Sequence, residues 1–514
     1  MSANIDATGD RSLLESLAKR ARPEPSQGGC ARFSVQNELW HELAQGLGNS
    51  FDLFALWADK AQVHMAVLEP DTGDFAIASL DLSDGAYPSI GQYHAPAIRP
   101  ERTIRDLLAI NPVGLGDDRP WLDHGKWPLS HPLKELPDHA CPHEPYAFLP
   151  AEGEGLHQVP VGPVHAGIIE PGHFRFTCSG ETVVRLEARL GYAHKGIEKL
   201  LEGKLPAEAA KICARISGDS TVASSLAFAR AVEAALETEA PSRAHWLRAL
   251  MAEMERLANH FGDIGGICND AAFALLHAHF GLLREDVLQA GQRCFGHRMM
   301  MDCVIPGGTA TDLTPQGREI LAHLLAGLRE RLAPLIEVYD NTASLQDRTR
   351  NTGLLDAALA RQFAAGGYVG RASARAFDTR KVLAYPPYDI LSFASQVFDK
   401  GDVDARVWVR IHEAEQSMAL IEQIVHELPD GPVRIDLPSG TGRTREGLAI
   451  VEGFRGDLLV WLRLDGEGRI ERCHPRDPSI FQWPLLEAAI EGCIIADFPI
   501  CNKSFNCSYS GHDL

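Results

Sequence analysis

The eleven cysteines are the side chains with the greatest capacity for redox and metal chemistry, and their spacing limits which chemistry is open to them. They stand at positions 30, 141, 178, 213, 268, 294, 303, 473, 493, 501 and 507. No two form a C-x-x-C pair, the spacing from which zinc sites and iron–sulfur clusters are commonly built. In a reducing compartment most are expected to pack as small buried apolar groups. We therefore expect neither structural zinc nor an iron–sulfur cluster held by this chain alone.

Charge and hydropathy exclude several classes of function. The chain carries 69 acidic and 49 basic residues, a formal net charge of −20. Nucleic-acid binding and direct adhesion to anionic lipid both need a basic surface, so neither is expected. No run approaches the roughly 20 apolar residues that span a bilayer, and the N-terminus lacks the basic start and apolar core of a secretory signal. The sequence predicts a cytoplasmic protein that reaches a membrane only through partners.

The first 160 residues divide into three segments. Residues 1–32 are polar, with Gly, Pro and Ser near their end, which predicts a disordered N-terminus. Residues 33–115 combine helical stretches at 37–46 and 102–110 with short apolar runs separated by turns, which predicts a small α/β domain. Prolines recur between 116 and 160, and each removes a backbone donor and restricts its predecessor, so we expect a linker lying over a surface.

Residues 161–514 show the pattern of a large, mainly helical domain. A strand pair that turns at 178–180 opens it, and a β-rich tail at 456–474 follows the helices. Apolar residues recur with i, i+3, i+4 spacing over 207–217, 221–238, 243–261, 271–295, 315–345, 354–365 and 404–428. The predicted fold class is α+β, with a small N-terminal α/β domain followed by a helical bundle that has β elements at its start and end. No strand leads into a helix through Gly-x-Gly-x-x-Gly, so NADH, if used, is expected to bind elsewhere.

A series of short motifs follows in order through this large domain. They are Gly162-Pro-Val-His-Ala-Gly, His194-Lys-Gly-Ile-Glu-Lys, Glu255-Arg-Leu-Ala-Asn-His, Pro306-Gly-Gly, Arg371-Ala-Ser, Asp378-x-Arg-Lys, Arg406-x-x-x-Arg-x-x-Glu-x-x-Gln-Ser, Gly453-Phe-Arg-Gly-Asp and Arg472-x-x-x-Arg-x-Pro-Ser. The series resembles the large subunit of membrane-bound [NiFe] hydrogenases and its relative, the quinone-side large subunit of respiratory complex I. The resemblance implies that large-subunit fold.

The N-terminal part carries a resemblance of its own. Glu101-Arg-Thr-Ile-Arg-Asp-Leu, running on to Gly116-Asp-Asp-Arg-Pro, resembles the signature of the smaller subunit that accompanies the complex I large subunit. The resemblance implies that the two subunits are fused here, as in large subunits of the formate hydrogenlyase type. Together the two resemblances cover roughly residues 33–514.

Cysteine is absent where the resemblance requires the first pair of nickel ligands. A [NiFe] centre needs four thiolates, which the family supplies as two C-x-x-C pairs. The first pair should follow Arg215, where Ser217 and Ser220 stand instead. A serine hydroxyl stays protonated and cannot replace a thiolate. Arg215 itself is a candidate for contacting whatever ligand occupies this place.

The second pair of nickel ligands is also absent. Aligned on Ser504, the tail places Ser508 and Gly511 at the ligand positions. A shift of register would use Cys507, but its partner would then be Ser510. No thiolate pair survives in either register, so a nickel hydrogenase is not expected.

Glu198, in the His-Lys-Gly-Ile-Glu-Lys segment, stands where the resemblance implies a glutamate that passes protons from the metal site. Burial can raise the pKa of such a carboxyl toward neutrality, as proton transfer requires. Sixteen residues lie between Glu198 and Arg215, the spacing that the family uses. An ion pair with Arg215 or with a neighbouring residue is an equally good reason for a glutamate at position 198.

The resemblance to complex I implies that the cavity without metal would bind a quinone headgroup. In that family a histidine, a tyrosine and an aspartate of the long helix assist the binding. His165 and His173 are approximate counterparts of the histidine, and a buried, hydrogen-bonded role is the alternative for His165. The position of the tyrosine falls on Gly218, so the hydrogen-bond donor that the tyrosine hydroxyl would supply is absent. The aspartate of the long helix falls on Asp270, with Asp263 as a nearby alternative, and a helix-terminal or salt-bridged carboxylate is the structural explanation.

Four basic residues form a further candidate surface. Arg371, Arg375, Arg380 and Lys381 lie close together in the sequence. By the resemblance they would face the iron–sulfur subunit or the membrane arm of a complex. A solvated basic face is the alternative.

The resemblance implies a subunit of a membrane-associated complex on the cytoplasmic side of the membrane. The chain would form the cavity beside a [4Fe–4S] cluster held by a separate small subunit, and would couple electron transfer to proton or ion movement through antiporter-like membrane subunits. No cofactor is expected on this chain, apart from a quinone. One alternative is the large subunit of an NADH- or ferredoxin-linked quinone reductase. Another is a non-catalytic coupling scaffold, in which replacing Glu198 and Asp270 would leave redox turnover unchanged.

Overall fold

The computed structural model describes residues 12–24, 30–136, 138–139, 145–165, 169–438, 440 and 442–514. Its N-terminal part contains α1 (Leu13–Arg20), β1 (Arg22–Pro23), β2 (Ala31–Ser34), α2 (Asn37–Gly46), β3 (Asp52–Ala58), β4 (Gln62–Leu68), β5 (Phe75–Asp81), β6 (Ala86–Pro88), α3 (Ile98–Leu108) and β7 (Asn111–Val113). Five strands form a sheet in the order β1-β2-β5-β4-β3, in which only β2 and β5 are parallel.

Strands β3, β4 and β5 of this sheet are buried on both faces. Every residue of β3 is buried, and α3 packs against this strand. Phe54 and Trp57 on β3 form an apolar cluster with Trp461 from the C-terminal part of the chain. Double burial explains why these strands are continuous apolar runs without a polar alternation.

The prediction of disorder is wrong for residues 12–24. Helix α1 places Leu13 and Leu17 in the core and contacts β2 and β5, while β1 pairs with β2. An amphipathic helix of this kind is stabilised by the apolar side chains that it buries rather than by its polar surroundings. The rest of the segment, residues 1–11 and 25–29, lies outside the described residues.

The predicted linker contains ordered structure and runs into the next sheet. Trp121 is buried beneath the guanidinium groups of Arg99 and Arg102, 4.6 and 4.7 Å from its ring centre. The following strands are β8 (Leu129–Ser130), β9 (Asp138–His139), β10 (Leu156–Val161), β11 (His173–Ser179) and β12 (Thr182–Arg189). Strand β10 pairs with β11, so the predicted boundary at 160 cuts through a strand. The predicted strand pair turning at 178–180 is β11 and β12.

The large domain is a bundle arranged around one long helix. Its elements are α4 (Ile197–Leu201), α5 (Pro206–Cys213), α6 (Thr221–Ala235), α7 (Ser242–Asp270), α8 (Ala274–Phe295), β13 (Val304–Ile305), β14 (Gly308–Thr309), α9 (Gly317–Asn341), α10 (Ala343–Thr349), α11 (Ala357–Gln362), α12 (Gly367–Ala372), α13 (Thr379–Val382) and α14 (Val403–Glu427). Each of the seven predicted helical stretches contains a helix. Among the described residues, no helix is long and apolar enough to cross a membrane.

Helix α7 continues nine residues beyond the predicted end at 261. Glycines interrupt the apolar pattern there, but they serve close packing. A Cβ at Gly265 would lie 3.1 Å from Cβ of Phe280 and 3.3 Å from a backbone carbonyl of α8. The glycine therefore permits the approach of α8, and the contact with α8 supports the helix that glycine alone would weaken.

The C-terminal part returns to the bundle. It contains β15 (Arg445–Gly453), β16 (Gly456–Leu464), β17 (Ile470–Arg476), α15 (Ser479–Ala489), α16 (Phe498–Phe505) and α17 (Tyr509–His512). The three strands form an antiparallel sheet, and α6 packs against it. The last two residues, Asp513 and Leu514, are buried. The chain end is therefore part of the core.

Two arginines of β17 hold the N-terminal sheet against the C-terminal one. Arg472 donates to the carbonyl of Ala58 from Nη2 at 3.1 Å and from Nε at 3.3 Å. Arg476 donates from Nε to the carbonyl of Phe54 at 2.8 Å. These bonds give the Arg-x-x-x-Arg motif a structural role, because they satisfy carbonyls at the buried junction of the two sheets.

Candidate functional site

The positions where nickel ligands would stand meet in one buried cluster of hydroxyl groups. Ser217 lies before the turn that opens α6, and Ser508 lies directly before α17. Their Oγ atoms are 2.9 Å apart although 291 positions separate them in sequence. Ser508 Oγ also accepts from the Gly511 N–H at 2.9 Å, and Ser220 lies buried beside this group. The structure therefore brings the four positions into one site.

The donor set of this cluster does not fit a nickel–iron centre. Three hydroxyls and a glycine replace the thiolates that such metals require. A Cβ at Gly511 would lie only 2.7 Å from Oδ2 of Asp477, so even a cysteine would need movement of its neighbours. Among the described residues, no three or more His, Cys, Asp or Glu side chains converge as metal ligands. The chemistry open to these residues is hydrogen bonding and proton transfer.

Asp219 and Arg455 orient the hydroxyl cluster through an ion pair. Arg455 Nη1 donates to Asp219 Oδ1 at 2.8 Å and to Ser220 Oγ at 3.1 Å. Ser217 Oγ donates to the same carboxylate oxygen at 2.7 Å. Burial would raise the pKa of Asp219, but Arg455 and the Ser217 hydroxyl lower it to about 2. The carboxylate is therefore charged at neutral pH and fixes the direction of the Ser217 hydroxyl.

Glu255 on α7 caps the helix that begins at this cluster. Its carboxyl oxygens accept from the N–H groups of Val222 at 2.7 Å and Ala223 at 3.0 Å. One turn further along α7, the Asn259 amide donates to the Asp219 carbonyl at 2.7 Å. Burial, together with the charge of Asp219, raises the pKa of Glu255 to about 8 against the effect of these two backbone bonds. A buried acid that titrates near neutrality is suited to proton transfer.

The titration of Glu255 is expected to be visible by infrared spectroscopy. In the difference between the wild type and Glu255→Gln, the C=O band of a protonated carboxyl should fade as the pH rises through about 8. Since the folded pKa lies above the unfolded value of 4.5, the stability contributed by this proton is complete below about pH 4.5 and is lost as the pH rises through the folded pKa. Glu202→Gln, which changes a half-exposed carboxylate paired with Lys199, should not remove the band. A band that titrates below pH 6 would contradict the assignment.

Glu198 lies in α4 within a second buried site. Its Oε2 is 2.6 Å from Nη1 of Arg472, and its Oε1 is 2.7 Å from Nδ1 of His474, both on β17. Burial would raise the pKa of Glu198, but Arg472 and His474 lower it to about 2. The expectation of a pKa near neutrality is therefore wrong. The alternative of an ion pair is confirmed, with Arg472 as the partner in place of Arg215.

A narrow cavity between β3, α3 and β17 reaches the Glu198 carboxylate. Its wall includes Trp57, Leu107 and His474. The ring of His474 stacks on Trp57 with centroids 5.4 Å apart, and burial lowers the pKa of His474. Because Glu198 is ionised, His474 Nδ1 donates to it, which leaves Nε2 as an acceptor in the neutral ring. Nε2 is buried and has no hydrogen-bond partner among the described residues.

The two predicted histidines, one after β10 and one at the start of β11, both bind the backbone. His165 Nε2 is 2.8 Å from the Gly172 carbonyl, and His173 Nδ1 is 3.2 Å from that of Gly162. The alternative of a hydrogen-bonded structural histidine therefore fits His165. Gly172, next to His173, adjoins the hydroxyl cluster, because a Cβ at this position would lie 2.5 Å from the Tyr509 ring on α17.

Gly218 and Arg215 lie at the outer side of the cluster. Gly218 is exposed, and the place of its missing Cβ is open space. Arg215 is half-exposed and forms a two-point ion pair with Asp302, at 2.7 and 2.8 Å. The prediction that Arg215 contacts a ligand does not fit this placement, because its guanidinium group already donates to the carboxylate of Asp302.

Asp263, the predicted alternative, lies nearer to the cluster than Asp270. Asp263 is buried, and its carboxylate accepts from Asn506 at 2.8 Å and from Arg410 at 3.2 Å. Eleven positions of helix separate Asp270 from Asn259, or about 16 Å. Asp270 stands at the last turn of α7, half-buried, where burial raises its pKa. The choice of Asp270 is corrected to Asp263, because α7 is longer than the sequence pattern indicated.

Arg371 lies inside the bundle rather than on a basic surface. Its Nε donates to Glu413 at 2.7 Å and its Nη1 to Glu452 at 2.9 Å, and its side chain is 1% exposed. His260 Nε2 also contacts Glu413, at 2.8 Å. Both predictions for Arg371, a partner-facing surface and a solvated face, are wrong, because buried carboxylates surround the guanidinium.

The other members of the predicted basic surface are dispersed. Arg380 is buried and donates to Glu253 at 2.9 Å. Arg375 reaches across to β3, where it donates to Asp52 at 2.6 Å. Of the four residues only Lys381 is exposed. They therefore form no common docking surface.

Four residues of the two sites were missed by the sequence analysis: Asp219, Glu255, Arg455 and His474. A signal for each was present. Glu255 and Arg455 stand inside quoted motifs, Asp219 lies between the two serines at former ligand positions, and His474 is within the segment that begins at Arg472. A charged residue held among small or apolar neighbours indicates a buried partner, because burial of an unpaired charge is costly.

Comparisons with known proteins agree with this architecture. A family model for the 49 Kd subunit of the respiratory-chain NADH dehydrogenase matches residues 272–445, and one for nickel-dependent hydrogenase matches residues 195–262. Hydrogenase-4 component G of Escherichia coli (strain K12) is 30% identical over 447 residues, covering 85% of this chain and 77% of that protein. The carbon monoxide-induced hydrogenase of Rhodospirillum rubrum is 32% identical over 356 residues, covering 68% of this chain and 96% of that one.

A solved structure shares the fold. A chain of the membrane-bound sulfane sulfur reductase, an archaeal respiratory membrane complex, superposes with a TM-score of 0.66 at 26% identity. The match covers 70% of this chain and 99% of that one. Together with the order of the motifs, these likenesses confirm the predicted resemblance and the α+β fold class. The chain belongs to the family formed by the large subunits of nickel-dependent hydrogenases and the 49-kDa subunit of respiratory complex I.

Proposed function

We propose that this chain is the large subunit of a membrane-associated oxidoreductase complex that works without a nickel–iron centre. The observation that carries the proposal is the direct contact between Ser217 and Ser508 at 2.9 Å, at positions where the family holds metal. Asp477 leaves no room for a larger side chain at position 511. The predicted ligand positions therefore form a hydrogen-bonded cluster rather than a set of metal ligands. Hydroxyl and carboxyl groups of this kind carry protons rather than electrons.

In this proposal electrons reach a [4Fe–4S] cluster on a separate small subunit, and this chain supplies the protons that accompany them. Glu255 is protonated near neutral pH and the nearby Asp219 is not, so the two acids can serve as donor and acceptor. Glu198 and His474 form a second pair beside the interdomain cavity. Antiporter-like membrane subunits would couple this transfer of electrons and protons to the movement of protons or other ions on the cytoplasmic side.

The relatives support the setting of this proposal. Two of them are hydrogenases or hydrogenase components, and the solved structure is that of a respiratory membrane complex. Quinone binding gains no support from Gly218, which offers no hydrogen-bond donor where one would be needed. The proposal therefore places proton handling, and no cofactor, on this chain.

Metal analysis of the intact complex, purified through a tag on this chain, tests the proposal. We expect iron and acid-labile sulfide from partner subunits, membrane subunits that co-purify, and no nickel, because no thiolate pair stands at the ligand positions. Nickel added during growth should leave the nickel content unchanged. Stoichiometric nickel would overturn the proposal, since it would require ligation by serine or by cysteines outside the family positions.

A further inference from the structure

Cys493 and Cys501 meet around a single glycine. Cys493 follows α15, Cys501 lies in α16, and the two thiols are close enough to shift each other's pKa. The N–H of Gly353 donates to Cys493 Sγ at 3.4 Å. A Cβ at Gly353, where φ is +62°, would lie 2.8 Å from Cys501 Sγ. Both sulfur atoms therefore lie beside Gly353, where a side chain would collide with Cys501 and strain the backbone.

A buried cation without a carboxylate partner lies at the same place. Arg406 is fully buried, and none of the carboxylates that the structure describes forms an ion pair with it. Its guanidinium donates to Ser504 Oγ at 2.9 Å, to the Gly401 carbonyl at 2.7 Å and to the Gly353 carbonyl at 2.8 Å. Its hydrogen-bond acceptors are neutral, and besides the Phe505 ring only Asp402, from beyond ion-pair distance, acts on its charge among the carboxylates that the structure describes, so a nearby thiolate would compensate that charge.

We propose that Cys493 and Cys501 form a redox-active dithiol that undergoes thiol–disulfide exchange with small disulfides. Cys493 is partly exposed and takes the attacking position, whereas Cys501 is buried behind it and takes the resolving one. The site is separate from the serine and glycine positions of the former metal cavity. It does not depend on the function proposed for that cavity.

The exchange conserves atoms and electrons. The Cys493 thiolate attacks one sulfur of R–S–S–R, forming a mixed disulfide and releasing RS⁻, which takes a proton from water. Cys501 then loses its proton, attacks Cys493 Sγ and releases the second RS⁻. The two cysteines are oxidised to a disulfide, and one small disulfide is reduced to two thiols. A small dithiol in excess reverses both steps.

The electrostatics of the pair favour this division of roles. The hydrogen bond from Cys501 lowers the pKa of Cys493 to about 6 against the effect of burial, helped by the Gly353 N–H and by Arg406. The same hydrogen bond and burial raise the pKa of Cys501. Cys493 therefore supplies thiolate at neutral pH while Cys501 stays protonated until the mixed disulfide forms.

Peptide mass spectrometry of the full chain tests the proposal. Trypsin cuts after Arg476 and Lys503, so one peptide contains Cys493, Cys501 and no other cysteine. After incubation with glutathione disulfide and acid trapping, the wild-type peptide should weigh two hydrogen atoms less. In Cys501→Ser the same peptide should carry one glutathione, and in Cys493→Ser it should remain unmodified.

The rate of alkylation supplies a second measurement. Iodoacetamide should modify Cys493 with a half-maximal rate near pH 6, shifting to higher pH in Cys501→Ser, which changes its hydrogen-bond donor. Cys303 is a matched control, because burial raises its pKa and its Sγ contacts backbone carbonyls. Cys303→Ser should leave the 477–503 peptide chemistry unchanged. An unmodified wild-type peptide, or Cys493 and Cys303 alkylated at equal rates, would overturn the proposal.

Discussion

Replacement of Arg371 by methionine is expected to lower the free energy of unfolding by about 3–5 kcal/mol. Arg371 is 1% exposed and binds Glu413 and Glu452, neither of which can reach water when the guanidinium is removed. Methionine preserves most of the volume and supplies no positive charge, so the loss measures the stranded carboxylates. Urea unfolding followed by circular dichroism gives the value from the shift in midpoint.

The matched control for this change is Arg329→Met. Arg329 also makes a two-point contact with a glutamate, Glu422, at 3.0 and 2.7 Å, but both side chains are half-exposed. Such a pair contributes about 0–1 kcal/mol. Equal losses for the two variants would show that the buried network contributes no more than a surface pair.

A second variant separates charge from packing. Burial and the neighbouring Asp378 raise the pKa of Glu452. Without Arg371, the charged form of this carboxylate should therefore destabilise the folded state more than that of Glu413. The double variant Arg371→Met, Glu452→Gln should therefore be more stable than Arg371→Met alone. A double variant that loses the sum of both single effects would instead indicate that the arginine matters through packing.

Glu198→Gln is expected to lower the stability at pH 7 by about 3 kcal/mol. The pKa of Glu198 falls from 4.5 to about 2 on folding, because Arg472 and His474 outweigh the effect of burial. A carboxylate with a depressed folded pKa contributes stability above about pH 4.5, and this contribution is lost as the pH falls through about 2. The difference between the wild type and the variant should therefore shrink on acidification, as seen in urea midpoints across that range.

Glu202→Gln controls for the change of charge in the same segment. Glu202 pairs with the half-exposed Lys199 at 2.6 Å, so its replacement should cost no more than about 1 kcal/mol at any pH. A difference for Glu198→Gln that stays constant from pH 7 to pH 2 would contradict the low pKa.

The Glu198→Gln variant also distinguishes the proposed function from a coupling scaffold. If the carboxylate takes part in proton transfer, the redox turnover of the purified complex should fall, by about 10²-fold or more if proton transfer limits the rate. A scaffold would keep its redox turnover while ion transport changes. Asp263→Asn, in place of a change at Asp270, is the companion variant, because of these two aspartates Asp263 lies nearer to the cluster.

Local sequence was sufficient where a signal lay within a few turns of chain. Each of the seven helical stretches predicted from 207–217 to 404–428 contains a helix, and the predicted strand pair turning at 178–180 is present, because burial of one face leaves a periodic pattern in neighbouring residues. The helix end at 261 was wrong, since packing of Gly265 against α8 overrides the weak helix preference of glycine.

The sequence by itself determined the family and the helical bundle, and it predicted that cysteine is absent from all four ligand positions, because each of these is a matter of residue type and order. The tertiary structure alone decided the partners: Ser217 with Ser508, Arg371 with Glu413, Glu198 with Arg472, and Cys493 with Cys501. Most of these pairs join distant segments, and which charge meets which is fixed by packing. The pKa of a buried carboxyl is raised by burial alone and lowered by a buried positive partner. Which of the two effects prevails depends on these long-range contacts, and no local sequence pattern predicts them.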